Sequence, residues 1–131
     1  ISEHSLGFSR RLWTGAGLAS ACRFVEADVL VDDCEPVQAL ICGELLEHVP
    51  EPLALLEKAR RSLEPGGRMF LTAALNAPQA DHVTLFERPS EILDLVTRVR
   101  LEPIEQVVVT HPNRAAQARP PQVLAVVLRK G

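Results

Sequence analysis

The spacing of apolar positions changes character along this chain, and each change marks an element. Ala39-Leu40-Ile41-Cys42 is an uninterrupted apolar run inside Val37 to Cys42, the pattern of a strand covered on both faces, as in parallel α/β sheets. From about Leu53 to Leu63 the pattern turns helical. Leu56, Ala59 and Leu63 share a stripe with Leu55 beside it, while Glu57, Lys58, Arg60 and Arg61 fall opposite, so this helix lies on a sheet. Pro65-Gly66-Gly67 stops it, and Arg68 to Leu75 reads as the next strand. Pro89-Ser90-Glu91 opens a second amphipathic helix with Ile92, Leu95, Val96 and Val99 on its apolar side.

Ile104 to Thr110 and Val123 to Leu128 are the last two strands, and Pro112, Asn113, Pro120 and Pro121 between them mark an exposed hairpin loop. That pair is predicted to be antiparallel. Earlier in the chain, Ser5 to Ala21 reads as helical in part, with Leu6, Arg10, Trp13 and Gly17 on one face, and Cys22 to Asp28 as strand-like. Glu44 onward begins a helix that Pro50 and Pro52 interrupt, because proline cannot donate to the helical ladder. Alternating strands and helices that end in a hairpin specify an α/β sandwich with an antiparallel edge.

With 131 residues, 47% of them hydrophobic, the chain suffices for one core and is too short for two ordinary domains. A formal net charge of −3, with arginines scattered in pairs such as Arg10/Arg11 and Arg60/Arg61, disfavours a surface that tracks nucleic acid. Trp13, Phe8, Phe70 and Phe86 are too dispersed for a base-stacking platform. Cys22, Cys34 and Cys42 are odd in number and lack C-x-x-C spacing, so they read as small buried hydrophobes rather than a disulfide framework or zinc site. No apolar stretch has membrane-spanning length and Ile1-Ser2-Glu3-His4 does not look like a signal peptide, so a soluble, cytoplasmic protein is expected.

The densest candidate chemistry is Glu44, Glu47 and His48 directly behind the buried strand, together with His82. Ligands of parallel α/β sheets sit at the carboxyl ends of the strands, where this cluster falls. On a helix, Glu44 would share a face with Glu47 and His48. Two carboxylates and two imidazoles suit a divalent cation that orients and acidifies a hydroxyl; without metal, His48 or His82 suits a general base. His4 and His111 are assigned no role.

Three segments resemble the class I S-adenosylmethionine-dependent methyltransferases. Phe24-Val25-Glu26-Ala27-Asp28-Val29 looks like that family's third strand and adenine-binding turn, and Ile41-Cys42-Gly43-Glu44-Leu45-Leu46-Glu47-His48-Val49-Pro50 like its fourth strand and following segment. Leu63-Glu64-Pro65-Gly66-Gly67-Arg68-Met69-Phe70-Leu71-Thr72 resembles the turn into its fifth. The resemblance implies a Rossmann-like α/β sandwich, mostly parallel with an antiparallel C-terminal hairpin, and S-adenosylmethionine as cofactor. It further implies that Asp28, Ala27 and Val29 meet the adenine, that Ile1 packs on it, and that Gly43 and Glu44 line the methionine half. Glu-x-x-Glu-His with a later histidine resembles the metal-using ubiquinone-pathway O-methyltransferases and small-RNA terminal methyltransferases. On that likeness Glu47, His48 and His82 are catalytic candidates, and Glu44, Glu47, His48 and His82 would hold a divalent cation such as Mg²⁺.

The family's first βα unit, with its glycine-rich turn, is not among these residues, so residues 1–131 are expected to be a single, N-terminally incomplete domain holding the third to seventh strands. Thr14-Gly15-Ala16-Gly17 is no substitute, because it precedes a strand rather than following one; its glycines are expected to end a helix. The activity implied is methyl transfer to an oxygen, nitrogen or carbon of a small molecule, in secondary metabolism, with a homo-oligomer as a further expectation. Two competitors are a non-catalytic methyltransferase-like binding module and a nucleotide-dependent oxidoreductase.

Overall fold

Pairing of these strands and helices in the computed structural model, which describes residues 3–110, 112–114 and 116–131, produces two units, Ile1–Asp33 and Cys34–Gly131. In the first, helix α1 spans Glu3–Gly15 and a 3-10 turn follows at Ala19–Ala21. Gly17 takes φ 73, and the Leu18 N–H reaches back to the Trp13 carbonyl at 2.9 Å. The glycine therefore supplies the left-handed helix stop, as its position before an extended segment predicts. Cys22–Asp28 departs from expectation: it is not in a strand. A strand is defined by its neighbour's ladder, and among the described residues nothing pairs with this segment.

The second unit is built from β1 (Val37–Gly43), α2 (Pro52–Arg61), β2 (Leu63–Leu75), α3 (Pro89–Arg98), β3 (Leu101–Thr110) and β4 (Gln122–Lys130). The sheet order is β1-β2-β4-β3. β1 and β2 are parallel, and β4 lies antiparallel to both β2 and β3; three strands thus share one direction and β4 alone opposes them. The expected hairpin forms at one edge, and β1 forms the other among the described residues.

Period-two alternation in β2 sends Met69, Leu71, Ala73 and Leu75 to one face, joined by Leu124, Val126 and Leu128 of β4. Leu55, Leu56 and Ala59 of α2, Ile92 and Val96 of α3, and Val99 just after it belong to the same core. Burying such side chains contributes roughly 1.5–3 kcal/mol each. The Pro65-Gly66-Gly67 turn lies inside β2, where the pairing with β1 shifts between Val37 and Ala39. Gly66 has φ 75, and a Cβ at Gly67 would stand 2.9 Å from the Glu64 carbonyl oxygen, so both positions require glycine. No helix of the described residues is long and apolar enough to cross a membrane.

Candidate active site at the ends of the parallel strands

Both parallel strands end in a non-glycine residue with positive φ: Glu44 (φ 47) after β1 and Asn76 (φ 51) after β2. Such conformations cost on the order of 1–3 kcal/mol and cluster where the chain must be aimed. The Glu44 N–H is held by the Thr72 carbonyl at 3.0 Å and lies 3.1 Å from its Oγ1. Instead of the expected helix, the chain then makes a single 3-10 turn, Leu46–His48. Pro50 and Pro52 leave no room for a longer ladder.

This turn buries Glu47, which is 1% exposed. Its Oε1 accepts from the Ala74 N–H at 3.2 Å, while Oε2 is buried with no hydrogen-bond partner among the described residues. His48 Nδ1 lies 2.9 Å from the Asp81 carbonyl oxygen and 3.6 Å from its carboxylate. Only a protonated Nδ1 can donate to a carbonyl, so neutral His48 presents its Nε2 lone pair. His82 meets His48 edge to face, with ring centroids 4.8 Å apart.

The segment that brings His82 here is tied back at several points. Asn76 N–H donates to the Phe86 carbonyl (2.9 Å), Thr84 N–H to the Glu47 carbonyl (3.0 Å) and Thr84 Oγ1 to the Val49 carbonyl (2.8 Å). Ligating atoms of Glu47, His48 and His82 consequently lie within 4.8 Å of one another. Glu44, expected as a fourth ligand on a shared helix face, stands outside this trio because the turn is not α-helical. Its carboxyl instead neighbours Thr72 and Glu47, and its pKa is raised above the ordinary 4.5, chiefly by burial, with Glu47 adding and Thr72 and His82 opposing. Cys42 is pushed up to about 11 by burial and then by Glu47, so it stays a thiol.

On the other flank of the Asn76–His82 loop opens a cavity of about 880 Å³ whose lining includes Asn76, Gln79, Asn113, Arg114 and Arg119. In the first unit, the adenine candidates form an Asx-type turn. Asp28 Oδ1 accepts from the Leu30 N–H (2.9 Å), and the Asp28 N–H donates to Asp32 Oδ2 (2.7 Å). Ala27 is half-buried, and Asp28 and Val29 are exposed. Ile1 lies outside the described residues. Thr72, Asp81 and Thr84 escaped the sequence reading; only the adjacency of Asp81 to His82 hinted at one of them.

This site sits on a chain that a family of known proteins accounts for. The family described as "Methyltransferase domain" matches residues 1–71, more than half of the chain, and the chain belongs to that family. A ubiquinone biosynthesis O-methyltransferase of Xylella fastidiosa (strain M23) is 42% identical over 45 residues, covering 34% of this chain and 18% of the relative. Matches to such enzymes span 18% to 31% of those relatives' lengths. Among solved structures, a putative sarcosine dimethylglycine methyltransferase from Galdieria sulphuraria superposes with TM-score 0.82 at 14% identity, covering all of this chain and 68% of that one. Geranyl diphosphate C-methyltransferase from Streptomyces coelicolor A3(2), in complex with Mg²⁺, geranyl diphosphate and S-adenosyl-L-homocysteine, gives 0.76 at 15% identity, covering all of this chain and 60% of that one. At these identities the superpositions establish the fold: a Rossmann-like methyltransferase sandwich.

Proposed function

We propose that residues 1–131 act as one methyltransferase domain that uses S-adenosylmethionine to methylate an oxygen, nitrogen or carbon of a small molecule. The observation that carries this reading is the Glu47–His48–His82 trio at the carboxyl end of β1, in a chain of the methyltransferase-domain family. An oxygen acceptor ranks first, because the ubiquinone-pathway relatives are O-methyltransferases by name. The 880 Å³ cavity beside the His82 loop has the size of a small-molecule site. A role in secondary metabolism and, with three free cysteines, a cytoplasmic setting belong to the same proposal.

In this reading Asp28 accepts from the adenine amino group, the Val29 N–H meets a ring nitrogen, and Ala27 and Ile1 pack on the ring. Gly43 and Glu44 line the methionine half. The acceptor attacks the methyl carbon in line as the carbon–sulfur bond breaks; sulfur keeps the electron pair and leaves as a neutral thioether. The acceptor's proton passes to His48 Nε2, whose lone pair is left free by the Nδ1 contact. Positioning contributes roughly 7–11 kcal/mol and the base about 10²–10⁴-fold.

As an alternative to the base role of His48, since both would use its one free Nε2 lone pair, the trio also fits a divalent cation such as Mg²⁺. Glu47 Oε2 is a buried acceptor lacking a donor, and His48 has its second nitrogen anchored by a carbonyl, as metal-bound histidines do. A cation held by Glu47, His48 and His82 would acidify and orient the acceptor hydroxyl.

Two measurements test the proposal. Isothermal titration with S-adenosylmethionine is expected to give one-site binding, and no heat at millimolar cofactor overturns the function. Paramagnetic resonance of added Mn²⁺ is expected to report binding that Glu47→Gln abolishes; equal Mn²⁺ binding in both proteins overturns the cation site and leaves the base role standing.

A further inference from the structure

We propose that the cleft between the C-terminal turns of α2 and α3 binds a small, multiply charged phosphate anion, at the opposite end of the sheet from the candidate active site. α2 leads into the start of β2 and α3 into the start of β3, and these strands run in the same direction. Their starts therefore lie together, away from the ends that carry Glu47 and His82.

The cleft, of about 230 Å³, is lined by Glu57, Arg60, Arg61, Arg98, Val99 and Arg100. Four arginines thus line one small cleft with a single acidic residue among them. The ion pairs found elsewhere engage Arg88, Arg119 and Arg129; none of these four joins one among the described residues. The negative end of a helix attracts cations, which accounts for one arginine at each helix end. It does not account for four converging on one cleft, where they repel one another.

One further observation fits a bound anion: Arg60 Nε is buried with no hydrogen-bond partner among the described residues, a donor whose desolvation nothing offsets. Arg100, at φ 58 with its N–H on the Thr97 carbonyl at 2.9 Å, makes the left-handed stop of α3, which puts it on the lining of the cleft. Planar guanidinium forks match phosphate oxygens in pairs. The cleft is smaller than ordinary drug-sized sites, and the chain's net charge of −3 opposes a long polyanion, so a compact phosphate group is the fitting occupant.

The test is calorimetric titration of the full chain with inorganic pyrophosphate, in parallel with the Arg61→Glu/Arg98→Glu variant. Both residues are exposed, and Arg61→Gln/Arg98→Gln serves if the reversal impairs folding. Wild type is expected to bind at one site with salt-sensitive affinity, and the variant to bind at least about tenfold more weakly, as loss of charge-assisted hydrogen bonds dictates. S-adenosylmethionine binding is expected to be unchanged. Undiminished pyrophosphate affinity in the variant, or no binding at millimolar pyrophosphate, overturns the proposal. Capture by phosphatidylglycerol vesicles without pyrophosphate binding overturns it too, assigning the arginines to a lipid surface.

Discussion

At the carboxyl ends of β1 and β2 the chain gathers Glu44, Glu47, His48 and His82, whereas at the starts of β2 and β3 it gathers Arg60, Arg61, Arg98 and Arg100, although both sets hang on one sheet. The two ends are built differently. The first is made by backbone turns with positive φ at Glu44 and Asn76 and by a loop fastened through Asn76 and Thr84; it holds a carboxylate at 1% exposure. The second is made by helix termini that project largely exposed side chains. Change at the first end should therefore disturb both fold and chemistry, and change at the second end charge alone.

The largest expected effect is that of Glu47→Ala. It strips the Ala74 N–H of its acceptor inside the core, which costs about 1–3 kcal/mol, and removes a member of the trio proposed to be catalytic, which on that proposal should lower the methyl-transfer rate by about 10²-fold or more. Urea unfolding and initial rates check the two effects separately. If stability falls while the rate per folded molecule holds, Glu47 is structural and the contrast between the ends loses its chemical half.

Next comes Gly43→Ala. A Cβ there would meet only Thr72 Oγ1, at an ordinary 3.5 Å, and Gly43 has no positive φ, so the fold should tolerate it within about 0.5 kcal/mol. If the methionine half of the cofactor runs against this backbone, affinity for S-adenosylmethionine should fall roughly tenfold, or about 1.4 kcal/mol. Calorimetry with unchanged affinity would move the cofactor away from the β1 exit.

How much of this was visible in the sequence follows from the range over which each feature is determined. Val37–Gly43, α2, α3 and the terminal hairpin obey local periodicity and punctuation, and their positions were legible to within a few residues; the burial of Val37–Gly43 on both faces was not borne out, since only Cys42 of that strand is buried and Ile41 is 81% exposed. Cys22–Asp28 carried strand-like residues yet makes no ladder, because pairing depends on a neighbour and not on the segment's own composition. Glu44 was misplaced for a related reason. Its spacing to Glu47 and His48 suggested one helix face, but the Thr72 hydroxyl and carbonyl, 28 residues away, hold it in a left-handed turn. Asp81 and Thr84 act across 33 and 35 residues, which no local pattern reports. Arg60 and Arg61 looked like a scattered pair until Arg98 and Arg100 were seen beside them.

A smaller effect separates the ends by pH. Glu44 has its pKa raised by burial and by Glu47, so above about 4.5 the folded chain binds more protons at this residue than the unfolded chain does. Stability from this source is present below 4.5 and is lost as pH rises toward the folded value. Glu44→Gln should flatten that part of the profile, as measured by urea midpoints at successive pH values. An identical slope in both proteins would mean that burial and Glu47 do not raise the Glu44 carboxyl in the folded chain.

The smallest effect is expected from Arg98→Glu. Arg98 is exposed and in no ion pair among the described residues, so the fold loses no buried contact. The reversed charge does sit in the last turn of α3, where the helix favours a cation by about 0.3–1 kcal/mol. Relief of repulsion from Arg60, Arg61 and Arg100 offsets that loss. Net stability should stay within about 0.5 kcal/mol, with the midpoint shift shrinking as salt screens both contributions. A loss well beyond this that persists in high salt would show that the arginine end is packed into the fold as tightly as Glu47 is, and that the sheet does not divide its structural and charged roles between its two ends.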